Sequence, residues 1–574
     1  TVAQLAPSGS FFAPDTIYCG NPLLSQQQFD IVCGQYNLTT DDFQWSFIGR
    51  RNAEGGPRRS ELKHEQQRVV IGVRGDLGAT WSYDAYANYG RVEHSEFFDE
   101  DLSITRMIRG IDVVSDPVSG APVCRSVLDG SDTSCVPWNI FESGGVTEEA
   151  LDYITQPLFF QGSTSQVQLN GYVSGDLGDY GLRLPGADGG IKAVFGLEYR
   201  DEQLDYEPDP AALTGDVAGF GSNVTAIDAA YSVREIFTEA SIPILEGRTA
   251  AELVSVDLAY RYSDYSTGKA TNTYKYAGEW MVHPSLRFRA SFQRAVRVGN
   301  VNELYRPLQD GFGNGGDTCV GQNPESSLEE CQRTGLSAAR YGTLPEPFGD
   351  PFFQIQFGGN PDLEPEKSDT VSFGFIVTPE LLPELSITVD YYDIDITGAI
   401  AEPDARFIFD QCIETGLARF CDAVNRDPGT GFLDLGEGYV DVRNTNIGAI
   451  RTRGVDVVAD YVVALGASDL QFNLVGTWLD SWELQELPGE TPFECVGTYN
   501  NGPCSRPRPE LATNLRTTWI TPWDASISLL WRYYSDIRDE GQFGYDLPST
   551  DYFDLAGVWD VTDQVTLRFG IRNL

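Results

Sequence analysis

Residues 285–297 read SLRFRASFQRAVR, with Leu286, Phe288, Ala290 and Phe292 alternating with Arg287, Arg289, Ser291, Gln293 and Arg297. Successive side chains of a β-strand point to opposite faces, so this stretch is a strand with one apolar and one strongly polar face. The pattern returns in 563–573, where Val565, Leu567, Phe569 and Ile571 alternate with Thr566, Arg568, Gly570 and Arg572. It returns again in 251–263, where Val254, Val256, Leu258, Tyr260 and Tyr262 alternate with Ser255, Asp257, Ala259, Arg261 and Ser263. About sixteen such segments run from 59–75 to 564–574. Hydrophobic residues make up 41% of the chain and aromatic residues 12%, with 59 Gly and 2 Met, a mixture of strand and turn formers that reads as all-β.

A water-soluble sandwich also alternates, so connection lengths have to decide between it and a membrane barrel. Short turns lie at 75–78, 282–285, 379–384, 521–524 and 562–564, and long connections at 97–164, 206–228, 298–368, 401–440 and 486–509. Short turns at one end and long loops at the other are the asymmetry of an outer-membrane barrel. No run of eighteen apolar residues occurs, which excludes a transmembrane helix and leaves a barrel open. Aromatic residues near strand ends, such as Trp81, Tyr83, Tyr391, Tyr392, Trp519 and Trp523, suit an interfacial girdle.

The ten cysteines fall into close couples: Cys19 with Cys33, Cys124 with Cys135, Cys319 with Cys331, Cys412 with Cys421, and Cys495 with Cys504. That spacing predicts five local disulfides formed outside the cytoplasm. Four couples sit in long connections and the fifth in the irregular N-terminal stretch. Forty Lys and Arg against 84 Asp and Glu give a formal charge of −44, which argues against nucleic acid as a partner.

Two blocks carry a family resemblance. RFRASFQRAVRVGNVNELYRP at 287–307 resembles the Arg-Ala element and Asn-x-x-Glu-Leu-Tyr opening of TonB-dependent outer-membrane receptors, through Arg294, Ala295, Asn302, Glu303, Leu304 and Tyr305. GNPDLEPEKSDTVSFGF at 359–375 is similar to their Asn-Pro-x-Leu-x-Pro-Glu-x-Ser block, through Asn360, Pro361, Leu363, Pro365, Glu366, Lys367 and Ser368. Gly299 stands where the family commonly has Pro. The resemblance implies an antiparallel barrel of the 22-stranded type, of which 16–18 strands are recognisable here, around an N-terminal plug that engages the TonB energising complex. No plug pattern is found, and the final strand and some five early strands are also expected to be missing. The expected division is an irregular loop region at 1–58, with a partial strand at 43–52 that belongs either to the wall or to a loop, followed by a barrel domain at 59–574.

The resemblance further implies a receptor in the outer membrane of a Gram-negative bacterium, surrounded by lipid and lipopolysaccharide. It would take up a scarce solute: a ferric siderophore first, an oligosaccharide or cobalamin-like cofactor next. A surface barrel used for adhesion, as a structural component or by phage is the first rival, and a passive porin the second. Arg261, Arg287, Arg289, Arg297, Arg568 and Arg572 share the polar face, where guanidinium forks would hold a plug or line the solute path. Trp138, Tyr341, Phe352 and Phe353 are the candidate ligand contacts in loops.

Other chemistry finds little support. GFGNGG at 311–316 matches a dinucleotide-binding string but lies in a Gly-rich loop rather than between a strand and a helix. No Gly-x-Ser-x-Gly occurs, and His64, His94 and His283 have no paired nucleophile, so no enzymatic role is expected. No cofactor is expected; the acidic stretches 207–216 and 427–438 could hold Ca²⁺, and solvated loop is the plainer reading.

Overall fold

In the computed structural model, the described residues are 6–7, 10–218, 224–345, 352–433, 437–446, 448–485, 491–500, 504–541 and 544–574. For 6–7, 10–16 and 45–51 only the backbone is described. Sixteen long strands form one antiparallel sheet in which each pairs with the next: β1 (Pro57–Leu77), β2 (Trp81–Leu102), β3 (Thr155–Asp176), β4 (Lys192–Glu207), β5 (Ile227–Arg248), β6 (Ala251–Tyr265), β7 (Ala270–His283) and β8 (Leu286–Arg297). The series continues with β9 (Glu366–Val377), β10 (Leu385–Thr397), β11 (Ala449–Leu465), β12 (Ser468–Gln485), β13 (Leu511–Ile520), β14 (Ala525–Tyr534), β15 (Thr550–Thr562) and β16 (Val565–Ile571). Each strand overlaps a segment read from alternation, but β2 and β3 extend into the connection expected at 97–164. The segment Phe43–Arg51 pairs with Ser10–Tyr18 in a separate two-stranded sheet, not with the wall.

Burial is inverted relative to a soluble protein. The large apolar side chains of the strands are exposed, Ile71 at 71%, Leu197 at 64% and Phe373 at 51%, because no protein covers the outer face. The buried apolar residues are concentrated in the long loops instead. Water would not tolerate such a contiguous apolar band, whereas lipid solvates it. No described helix is long and apolar enough to cross a membrane. Strands β1, β2 and β3 run 21, 22 and 22 residues, roughly 70 Å of chain at ~3.3 Å per residue, far beyond the 9–11 residues that a tilted strand needs to span the hydrocarbon. Their upper halves therefore stand clear of it, and there the outer face carries ion pairs such as Lys63–Glu65 at 2.5 Å and Arg91–Glu93 at 2.9 Å.

The two ends of the sheet differ as expected, with one exception each. Residues 177–191, on the short-turn side, form a 15-residue connection around the 3₁₀ turn Leu177–Tyr180, tied down by the Arg183 guanidinium to the carbonyls of Gly178 and Asp188. On the loop side β6 and β7 are joined by only Ser266–Lys269, which turns at Gly268 with φ 80°. All five cysteine couples are disulfide-bonded as their spacing implied.

Candidate functional site

The two long loops after β8 and β10 share one apolar core. Phe353, Phe409, Leu433, Val440 and both disulfides Cys319–Cys331 and Cys412–Cys421 are packed in it. Helix α1 (Leu328–Arg333) starts at a capping box in which Ser327 and Glu330 satisfy each other's backbone N–H groups. Helix α2 (Ala405–Thr415) starts at Asp404, whose carboxylate accepts from the Phe407 N–H. A buried ion pair joins the loops: Arg426 donates to both Asp317 carboxylate oxygens, and its Nε donates to the Thr334 hydroxyl at 2.8 Å. The loops therefore form one cap rather than two mobile arms.

The loop after β2 has its own core around Met107, Ile111, Trp138 and Ile154 with the Cys124–Cys135 bond. In it, Asp132 takes hydrogen bonds from Ser134, Tyr153 and Arg109, which hold its carboxyl well below the usual range. Burial, reinforced by that carboxylate, pushes the Tyr153 hydroxyl up to about 12.

The structure corrects the aromatic contacts expected from sequence. Trp138 and Phe353 are fully buried and out of a solute's reach, because they supply the cores that give their loops a shape. Tyr341 is half-buried and donates its hydroxyl to the Ser326 carbonyl at 3.0 Å. Phe352 alone is exposed, edge-on to the more exposed Phe312 at 5.0 Å between ring centres. Phe312 was hidden within a string read only for its glycines.

The two resemblance blocks interlock where β8 ends and β9 begins. Asn300 and Glu303 form a capping box on the short helix Val301–Tyr305, while Arg297 grips both Glu303, at 2.7 Å, and Glu366. Asn360 ties the second block back, its N–H donating to the Glu303 carbonyl at 2.8 Å and its side chain to the Asn444 carbonyl at 2.9 Å. Leu304 and Leu363 are buried together with Tyr305 against them, and Pro361 and Pro365 bracket the turn between. Gly299 passes close over this pair; a Cβ there would lie 3.3 Å from Leu304 and 3.4 Å from Leu363. In the adjoining ladder Arg294 forks onto Asp369, and Ala295 and Val296 stand opposite Ser368 and Lys367. These motif residues build the junction between wall and cap.

Alternation along β6, β8 and β16 sets Arg261, Arg287, Arg289, Arg297 and Arg568 on the face opposite the exposed apolar side chains. Arg287 lies 3.3 Å from Glu279, and Arg261 binds Glu235 at 2.7 Å and Glu198 at 3.4 Å. Arg289 reaches across Gly374 to Asp390, Nε to Oδ1 2.8 Å, because a Cβ at Gly374 would collide with that carboxylate. Arg568 and Arg572 lie on or just beyond β16, remote along the sheet from the β8 cluster. Carboxylates of the wall, joined at Arg297 by Glu303 of the adjoining helix, thus neutralise Arg261, Arg287, Arg289 and Arg297.

The acidic loop stretches are also used internally. The Asp427 carboxylate accepts from the backbone N–H groups of Glu437 and Thr430, which pull its pKa down to about 2, and Asp209 caps the turn Pro210–Thr214. Among the described residues no group of three or more His, Cys, Asp or Glu is arranged to hold a metal.

Against the inner face of β1–β4 lies a cavity of 790 Å³ lined by wall residues, by Val224, Thr225 and Ile227, and by residues of the segment 300–309. The wall thus has a polar inner face and an apolar outer face, with a folded cap at its long-loop end. The sequence matches the family described as TonB dependent receptor-like, beta-barrel, over residues 21–574. The chain belongs to the TonB-dependent receptor family. That family is one of β-barrel transport receptors of the Gram-negative outer membrane, not an enzyme class. No curated protein matches it.

Among solved structures, a mutant ferric enterobactin receptor (PfeA) of Pseudomonas aeruginosa in complex with enterobactin is 14% identical with a TM-score of 0.53, over 90% of this chain and 57% of that one. A second PfeA mutant gives 14% and 0.54, over 91% and 57%. The siderophore receptor PirA of Acinetobacter baumannii is 10% identical with a TM-score of 0.45, over 94% of this chain and 79% of that one. The PfeA likenesses establish the fold alone. This chain spans a little over half the length of those receptors.

Proposed function

We propose that this TonB-dependent receptor wall and its cap capture a scarce extracellular solute and admit it to the periplasm with energy delivered through TonB. The observation that carries the reading is the welded cap standing over a polar mouth. A passive pore gains nothing from two loops joined by a buried ion pair and a common core, whereas a receptor needs a preorganised outer surface. Adhesion would use the cap but not the cavity behind it. Names of the solved neighbours put a ferric siderophore first among solutes to be tried, with oligosaccharide and cobalamin-like cofactors next. The charged upper outer face, with Arg294–Asp369 at 2.6 Å and Arg451–Asp393 at 2.6 Å, is where lipopolysaccharide headgroups would lie.

The test uses the complete receptor in its own outer membrane. Accumulation of a labelled solute should stop when TonB is deleted or the protonmotive force is collapsed, and the protein in a planar bilayer should stay closed at rest. A large resting conductance, with accumulation indifferent to TonB, would replace this reading with a porin.

A further inference from the structure

The 790 Å³ cavity at the mouth has an unusual lining for a site that would receive an anion. Among its apolar side chains stand six carboxamides, Gln66, Gln166, Gln203, Asn300, Asn302 and Gln309, of which Asn300 caps the Glu303 N–H, Gln309 joins Arg306 to Thr225, and Gln166 donates to Glu202 over 3.4 Å. Gln66 and Gln166 are on the inner face, since ladder register aligns Gln66 with Val92 and Gln166 with Gly90 and Glu202. The side chains of Gln66 and Asn302 hydrogen-bond to nothing among the described residues. A carboxamide offers a donor and an acceptor side by side, which matches the paired donor and acceptor character of neighbouring hydroxyls.

The charged groups of the lining are already spent. Glu202 is held by Arg200 at 2.9 Å and by the Tyr231 hydroxyl at 3.1 Å. Arg306 is bound to Glu402 at 3.2 Å and to Gln309 at 3.2 Å, with its guanidinium 4.5 Å from the centre of the Phe357 ring. Arg91 belongs to the outer row and pairs with Glu93. Among the described lining residues no cation remains to neutralise a carboxylate, catecholate or phosphate, and an anion would meet Glu202 instead. The Tyr206 ring adds an apolar platform; a Cβ on neighbouring Gly162 would come within 3.0 Å of it. At Gly90 a Cβ would meet nothing within 4 Å, so the floor of the cavity is bare backbone.

We propose that this cavity is a subsite for an uncharged, hydroxyl-rich group of saccharide type, with Gln66, Gln166 and Asn302 as its hydrogen-bonding residues and Tyr206 as its stacking surface. The inference rests on the uptake reading above and reorders its solute classes, placing neutral oligosaccharides before anionic ferric chelates.

The experiment measures binding to the purified complete receptor of neutral gluco-, xylo- and manno-trisaccharides and, in parallel, of a ferric tris-catecholate. A trisaccharide should bind, and Gly90→Trp, which fills the floor, should weaken it at least tenfold. Gln66→Ala and Gln166→Ala, which leave the wall ladders intact, should each weaken it about three- to tenfold. Loss through misfolding is recognised by the heat-modifiable migration of each variant in a gel. Binding of the catecholate alone, binding of a trisaccharide indifferent to all three variants, or no trisaccharide binding overturns the proposal. TonB dependence of accumulation, whichever solute is taken up, judges the uptake reading separately.

Discussion

Replacing Arg426 by methionine removes the cation from a pair whose side chains are only 4% and 9% exposed, leaving Asp317 buried without its partner. Breaking a buried pair from one side costs about 3–5 kcal/mol, because the surviving charge keeps its desolvation penalty and loses its compensation. The Arg426 Nη1 also donates to the Gly431 carbonyl at 3.0 Å, and Asp317 accepts from the Cys319 N–H at 2.9 Å, so the loss falls at the contact between the two loops. At about 1.4 kcal/mol per factor of ten, cap opening should become about a hundred- to a few thousand-fold more frequent. Amide hydrogen exchange reads this directly: peptides from 317–344 and 405–433 should lose protection while those from β8 and β9 keep theirs. The double variant Arg426→Met with Asp317→Leu should recover much of the protection, since replacing both partners by apolar groups is far less costly than orphaning one. Unchanged exchange in the cap, or equal loss in the wall, would refute the argument that the ion pair welds two loops independently of the barrel.

Three further outcomes follow from the same structure. Reduction of the five disulfides, each closing a short loop worth about 2–3 kcal/mol, should raise exchange in the loops but leave the wall strands protected; mass mapping that joined different couples would contradict the pairing. Trp138→Ala should destabilise the loop after β2 by about 3–5 kcal/mol, seen as faster proteolysis of 103–154, because the ring is core and not a ligand contact. The Asp427 turn should open with acid. Its folded pKa of about 2 lies below the ordinary carboxylate value, so its contribution is complete above about pH 4 and is lost as pH falls through about 2. Pepsin cleavage within 427–438 should rise across that window, and Asp427→Asn should abolish the dependence.

Much of the fold was legible because a membrane strand must repeat its chemistry every second residue. SLRFRASFQRAVR announced β8, and all sixteen wall strands could be placed from such alternation. The cysteine couples were equally local, since 9 to 14 residues of separation leave each sulfur one near partner. What failed was inference about exposure. Trp138 and Phe353 looked like loop aromatics free to meet a solute, and both are core, because sequence does not reveal that a long loop can fold upon another and need a hydrophobic centre. Alternation sets the arginines of β6 and β8 opposite the apolar face, but their role was unreadable. Arg289 and Asp390 are 101 residues apart, and only the glycine between them in the sheet lets them meet.

The sequence by itself determined the strands, their two faces, the disulfides and, through the blocks at 287–307 and 359–375, the family, all properties encoded over a few to twenty neighbouring residues. Tertiary structure alone decided that two loops are one cap, that the inner-face arginines on β6 and β8 are already neutralised, and that a cavity bearing carboxamides is left against the inner face of β1–β4. Those outcomes depend on which distant segments the sheet brings side by side, and no local period records that.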